Sequence, residues 1–269
     1  MVRAAVTGAA GRMGTTLVRL IGETEGIEVA AAVERPAHPA VGRDAGEVAG
    51  IGPLGVRIGD DLETALADAD VVVDFTSATA SVGHVDAVCR AGKAIVVGST
   101  GFSPEDRRRL EERADEARIF LAPNMSIGVN VLLKVVGEVA RALGDGYDVE
   151  IVETHHRFKK DSPSGTALAL AEAVAAALGR DLESDAVYGR HGLGEGRPPR
   201  QIGIHAVRAG DVVGDHTVVF GGLGERVEIT HRATSRETFA RGAIRAALWL
   251  VNQPNGFYGM ADLLASPSA

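Results

Sequence analysis

The spacing of apolar positions divides the chain into two stretches with different grammars. Up to about residue 126, short β-branched runs alternate with segments of helical period. Val2–Thr7 and Ile27–Val33 read as strands. Arg12–Ile21 lies between them and reads as a helix with Met13, Leu17, Leu20 and Ile21 on one face. Further strands are predicted at Val71–Phe75, Ala94–Val97 and Ile119–Ala122, with helices from about Ser81 to Ala91 and onward from Pro104. Strands apolar on both faces and separated by helices require a parallel sheet covered on both sides. The glycine-rich stretch 42–59 has no period and reads as a loop plus a short strand.

After Asn124 the pattern changes. A helix from Val129 to about Leu143 leads into a strand at Tyr147–Glu153 and a second helix at Thr166–Leu178. The run 193–200, LGEGRPPR, reads as a mobile loop, followed by strands at Ile202–Arg208, His216–Phe220 and Arg226–Thr230. Consecutive strands after two helices imply a second domain of α+β type with a mixed or antiparallel sheet. Thr234 with Glu237 three residues on is a capping-box pattern, which predicts a helix through Val251 that could belong to either domain.

Composition narrows the function classes. The chain has 269 residues, 45% of them hydrophobic, enough for one or two domains with real cores. A formal charge of -8 argues against nucleic-acid or anionic-membrane partners, which need clustered positive surface. One cysteine, Cys89, excludes an intrachain disulfide and a multi-cysteine metal site. No apolar signal core precedes the first strand, and no run approaches the roughly 20 apolar residues of a membrane span, so a cytoplasmic protein is expected.

Chemistry concentrates at two places. Gly8-Ala9-Ala10-Gly11-Arg12-Met13-Gly14 joins the first strand to the first helix. Glycine there opens backbone angles closed to other residues, lets a pyrophosphate approach the chain, and points it at a helix N-terminus. The GxxGxxG spacing alone is also met in ordinary tight turns. Its context adds Glu34, at the end of the second strand and 20 residues past Gly14, where an acid can bind the ribose hydroxyls. Neighbouring Arg35 suits the 2′-phosphate of NADP, so both NADH and NADPH are expected as cofactors. Gly98-Ser99-Thr100 and Pro123-Asn124-Met125 follow two further strands and could reach the nicotinamide half.

The second place is Glu153 to Thr166, ETHHRFKKDSPSGT. Lys93, Lys134, Lys159 and Lys160 are the only lysines, so half of them fall in this one segment, beside two adjacent histidines. An ammonium or imidazole can give up its proton where a guanidinium does not. Ser164-Gly165-Thr166 then offers free N–H groups at a helix start, a cradle for a carboxylate. On composition alone a solvated loop with a Ser-Pro-Ser cap fits the same residues. No third ligand at metal spacing accompanies the histidines, so no metal is expected. His205, His216 and His231 read as structural residues of the later strands.

These motifs resemble the 4-hydroxy-tetrahydrodipicolinate reductase (dihydrodipicolinate reductase) family from end to end. The resemblance rests on the glycine turn, Asp74-Phe75-Thr76, residues 98–102 and 124–130, His155-His156-Arg157-x-Lys159…Pro163-Ser164-Gly165-Thr166, residues 208–216 and residues 228–233. It implies NADH- or NADPH-dependent hydride transfer to C4 of a small cyclic dicarboxylate, with loss of water. His155 would be the proton donor/acceptor and Lys159 a proton donor; His156, Gly165 and Thr166 would hold the substrate carboxylates. Gly8, Ala9, Ala10, Gly11, Arg12, Met13, Glu34, Arg35, Gly98, Ser99, Thr100, Ala122, Pro123, Asn124 and Met125 would hold the cofactor. The resemblance further implies a dinucleotide-binding domain of residues 1–126 and 237–269, a substrate-binding and oligomerisation domain of residues 127–236, and a homotetramer. The sequence departs from some relatives at Phe158, Lys160 and Ser162. The residues alone also admit a dehydrogenase of another amino-acid intermediate, or a dinucleotide-sensing regulator, though a sensor has no use for proton donors beside an anion cradle.

Overall fold

A computed structural model describes residues 1–266, and they fall into two compact units, residues 1–126 with 237 onward and residues 127–236. In chain order the first unit opens with β1 (Val2–Thr7), α1 (Arg12–Gly22), β2 (Ile27–Val33), α2 (Ala45–Ala49), β3 (Ile58–Gly59), α3 (Leu62–Leu66), β4 (Val71–Asp74), α4 (Ala78–Ala91), β5 (Ala94–Val97), α5 (Pro104–Glu112) and β6 (Arg118–Leu121). The second unit holds α6 (Ile127–Leu143), β7 (Asp148–His155), α7 (Gly165–Leu178), α8 (Leu182–Asp185), β8 (Ala186–Tyr188), β9 (Ile202–Arg208), β10 (Gly214–Gly221) and β11 (Arg226–Ala233). The chain then returns to the first unit with α9 (Glu237–Leu250), β12 (Gly256–Tyr258) and α10 (Met260–Ala265).

The first unit is a parallel seven-stranded sheet in the order β12-β6-β5-β4-β1-β2-β3. Val71–Val73 and Ala94–Val97 are entirely buried, as helices on both faces demand. Connections run to opposite sides from β1, so the topological switch lies between β1 and β4, and the exits of β1, β2, β4, β5 and β6 lie along one edge, where open parallel sheets hold their ligands.

The second unit is a mixed sheet, β11-β10-β7-β9-β8, with β10 antiparallel to both neighbours and β7, β9 and β8 parallel. Its core packs Val149, Ile151, Ile204, Val218 and Phe220 against Leu132 and Val136 of α6 and Leu170 and Val174 of α7. Each such fully buried aliphatic or aromatic side chain contributes on the order of 2 kcal/mol.

Several elements differ from the sequence reading. The stretch 42–59 contains α2, closed by Asp44, whose carboxylate accepts N–H groups from Gly46, Glu47, Leu54 and Gly55 at 2.7–3.1 Å. Five residues are too few for a helical period to register. Strand β7 runs two residues past Glu153, because its ladder with β9 continues to His155 opposite Arg208. Helix α9 opens at Glu237 rather than beside Thr234, and the Glu237 carboxylate pairs instead with Arg19 at 2.6 Å and Arg241 at 3.3 Å.

The run 193–200 is anchored at Arg197 and Arg200, while Leu193 stands fully exposed. Arg197 bonds Asp148 at 2.7 Å, Glu150 at 2.8 Å and the Val149 carbonyl at 2.9 Å. Glu150 also takes a fork from Arg190 and pairs with His205 at 2.6 Å. Its side chain lies flat over Gly203, where an added Cβ would come within 1.7 Å of a carboxylate oxygen.

Candidate active site

In the first unit, the turn after β1 depends on glycine at two points. Gly8 takes φ +61, and a Cβ on Gly14 would stand 2.0 Å from the Gly8 carbonyl oxygen, so α1 can approach β1 this closely only without a side chain there. No side chain caps α1 at Gly11, which leaves its first-turn N–H groups for an anion. Glu34 is buried at the rim of this turn, its carboxylate accepting the Ala10 and Arg35 N–H groups, each at 3.1 Å. The Arg12 and Arg35 side chains stand exposed on either side.

The other strand exits complete the edge. Asp74 is fully buried and accepts from Thr76 N at 2.8 Å, Thr76 Oγ1 at 2.6 Å and His84 Nδ1 at 2.8 Å. Burial would raise its carboxyl, but the His84 imidazole and Thr76 outweigh that and hold it below the ordinary value. This fixes the loop carrying Phe75, whose ring lies over Gly98; a Cβ there would meet it at 2.1 Å. The Ser99 hydroxyl is buried against Ser81 at 2.8 Å, whereas Thr100 is exposed. Met13, Phe75, Pro123, Asn124, Met125 and Phe239 line a mainly apolar cavity of about 250 Å³. Ala122 is buried, its N–H donated to the Val97 carbonyl, and Gly242 of α9 lets the Met125 carbonyl approach where a Cβ would stand 1.8 Å away.

In the second unit the chemistry grows out of one strand face. The inward row of β7 is Val149, Ile151, Glu153 and His155, so a core-facing line ends in a carboxylate and an imidazole. A buried charge must be paired, and Glu153 is. It accepts the Arg208 fork at 2.8 and 2.9 Å, the Ser164 N–H at 3.1 Å, and a short bond from His155 Nδ1. Burial pushes the Glu153 carboxyl up, but Arg208, His155 and Ser164 together bring it below the ordinary value. Burial likewise lowers His155, opposed by the Glu153 carboxylate and reinforced by Lys159 and Arg208.

Ser164 caps α7, its Oγ accepting from Ala167 N at 3.2 Å. Gly165 is exposed and Thr166 half-buried at the helix start. Lys159 pairs with Asp161 at 2.9 Å, and His156 Nε2 lies 3.3 Å from Arg236, while Lys160 is exposed. His216 departs from the reading as a satisfied structural histidine. Its buried Nδ1 has no partner among the described residues, its ring meets His155 edge-on at 5.1 Å, and its Nε2 lies 3.3 Å from Ser164 Oγ. His231 also has an unpartnered buried Nδ1, whereas His205 is satisfied by Glu150. No cluster of metal-ligating side chains occurs among the described residues.

The two ends of the chain match the two halves of one family description: dihydrodipicolinate reductase N-terminus over residues 2–125 and C-terminus over residues 128–264. The chain belongs to the dihydrodipicolinate reductase family. Among dihydrodipicolinate reductases, the 4-hydroxy-tetrahydrodipicolinate reductase of Anaeromyxobacter dehalogenans strain 2CP-1 is 59% identical over 98% of both chains. That of Syntrophotalea carbinolica is 54% identical over 98% of this chain and 99% of its own. A solved dipicolinate-bound dihydrodipicolinate reductase from Paenisporosarcina sp. TG-14 superposes with TM-score 0.77 at 25% identity, covering 97% of this chain and 99% of its own. The family uses a nicotinamide dinucleotide, and this member is an oxidoreductase acting on a small molecule. No described helix is long and apolar enough to cross a membrane.

Sequence reasoning gave no role to Glu153, Arg208, Phe75 or Phe239. Glu153 was within reach, since period-2 alternation puts it on the same face as His155. Phe239 carried no local signal, because it meets Met13 and Phe75 only through the fold.

Proposed function

We propose that the chain reduces 4-hydroxy-tetrahydrodipicolinate to tetrahydrodipicolinate with loss of water, using NADH or NADPH, in lysine and diaminopimelate synthesis. The observation that carries this reading is His155, held by a buried carboxylate beside the Ser164-capped start of α7, in a chain of this family. The residues of the first unit fit a reduced dinucleotide. The uncapped turn from Gly8 to Met13 suits a pyrophosphate, Glu34 and Arg35 the adenosine ribose, and the apolar cavity lined by Pro123, Asn124 and Met125 a nicotinamide, with Gly98, Ser99, Thr100 and Ala122 at the ends of β5 and β6 as further cofactor contacts. When bound, the dinucleotide supplies the hydride.

The second unit supplies anion binding and protons. Gly165 and Thr166 at the α7 N-terminus, with His156, hold the substrate carboxylates, since helix N–H groups and a positive dipole end favour negative charge. With Nδ1–H donated to Glu153, His155 exchanges protons through Nε2. Lys159, tethered by Asp161, is a second donor, whose proton leaves with the departing hydroxyl as water. Glu34 favours NADH and the adjacent Arg35 leaves NADPH acceptable. The open face of the second sheet, with Val152 and Val207 exposed, supports its use in subunit contacts of a cytoplasmic homotetramer.

The test is NAD(P)H oxidation by purified protein supplied with freshly generated 4-hydroxy-tetrahydrodipicolinate. Oxidation that depends on both substrates, and collapses in His155→Gln, is expected. Absence of oxidation with either cofactor would refute the assignment.

A further inference from the structure

We infer that Glu153 is the positioning residue of this reaction: one buried carboxylate orients the His155 imidazole, anchors through Arg208 the segment after β7 that carries Lys159, and sets the first turn of the carboxylate cradle. The inference rests on the function proposed above and deepens it.

A carboxylate offers about four acceptor directions, and at Glu153 all four are used. Oε2 receives His155 Nδ1 and Arg208 Nη1; Oε1 receives Arg208 Nη2 and the Ser164 N–H. The group is fully buried and cannot rotate without losing a donor. With the carboxylate ionised and accepting, the His155 proton is pinned on Nδ1, and Nε2 is the nitrogen whose protonation can change. Nε2 has room because residue 214 of β10 is glycine, whose Cβ would stand 3.0 Å from it.

The same carboxylate reaches the second donor through Arg208. That guanidinium bonds Glu153 on one side and the Asp161 carbonyl at 2.6 Å on the other, and the Asp161 side chain holds Lys159 at 2.9 Å. Through Ser164 it also fixes the residue that caps α7. Removing its charge therefore acts at three points that a mutation of His155 or Lys159 alone does not touch together. Among the groups acting most strongly on His155, Glu153 lies on its own strand, Arg208 on β9, His216 on β10 and Lys159 on the following segment, and of these Glu153 alone favours the protonated ring.

Glu153→Gln keeps the shape and removes the charge. It should lower kcat about tenfold or more, leave the NADH dissociation constant within about threefold, and move the limb of the kcat/KM profile set by His155 to lower pH. In the unliganded protein, the nitrogen spectrum of the imidazole should change from a fixed Nδ1–H form to a tautomer mixture. Because Glu153→Gln leaves the half-buried Arg208 guanidinium without its ion-pair partner, Glu153→Gln/Arg208→Gln is the companion variant; it should unfold near the wild-type temperature and still turn over slowly.

Wild-type turnover and an unshifted limb in both variants, with His155→Gln inactive, would overturn the positioning role and spare the proposed function. An unchanged imidazole spectrum would overturn it as well. Wild-type turnover in His155→Gln would instead strike the function assigned to that histidine, and the spectrum would still decide what holds the ring.

Discussion

His216 makes the stability of the second unit depend on pH in a way the structure allows to be worked through. The ring is 3% exposed, lies opposite Glu153 on β7 and His231 on β11, and carries one nitrogen with no partner. Burial, followed by repulsion from His155, His231 and Lys159 against a smaller attraction to Glu153, pushes its pKa from 6.5 down to about 4. The unfolded chain therefore takes up a proton that the native chain refuses, and stability falls as pH drops from 6.5 towards 4, levelling off below. The full interval is worth about 3 kcal/mol, of which about 2 kcal/mol is lost by about pH 5. His216→Gln removes the titration and leaves every other group in place. Urea unfolding followed by circular dichroism at about pH 7 and about pH 5 should show the wild type losing about 2 kcal/mol more than the variant between the two conditions. Parallel losses in the two proteins would show that the ring is already protonated, or reached by water, in the native state.

Three further outcomes follow from contacts described above. Lys159→Ala should lower turnover about 10²-fold with NADH affinity near wild type, measured by steady-state kinetics and fluorescence titration, because it removes a proton donor from the second unit and leaves the glycine turn intact. Glu34→Ala should do the opposite, weakening NADH binding by about tenfold or more with a smaller effect on kcat at saturation, since its carboxylate sits on the turn at Ala10. Gly203→Ala drives a Cβ into Glu150, whose carboxyl Arg190, Arg197 and His205 hold at about 2 against the opposing effect of burial. Displacing it should cost about 2 kcal/mol and expose residues 189–200 to protease, readable as a lower thermal midpoint and faster cleavage there.

The sheet of the first unit was legible because its strands are β-branched on both faces, a pattern that solvent-facing strands do not show. The glycine turn was legible because the backbone there has a geometry only glycine fills. Strand β12 left no trace: three residues carry no period, and they become a strand only by lying beside Arg118–Phe120. Helix α2 exists through one aspartate closing five residues, a contact between Asp44 and Leu54–Gly55 that no local window contains. At the candidate site, residue type and spacing singled out the segment from Glu153 to Thr166, but the Ser164 N–H read there as free is taken by the Glu153 carboxylate. The role of His216 was not, because a histidine in an alternating strand looks the same whether its second nitrogen is satisfied or orphaned.

The interruption of the first unit by residues 127–236 has a bearing on biogenesis. As the polypeptide emerges, the inserted unit has all its strands before its host has. Until α9 arrives, the side of β4, β5 and β6 that it covers stays bare, and until β12 arrives the outer rim of β6, with Ile119 and Phe120, has no neighbour. Such a rim is a template for wrong pairing, and the wait lasts for the translation of an entire domain. Joining ends so far apart adds little entropy cost, since closure grows only logarithmically with chain length. A premature stop near the carboxyl end would thus strip the first unit of its last strand while sparing the inserted one.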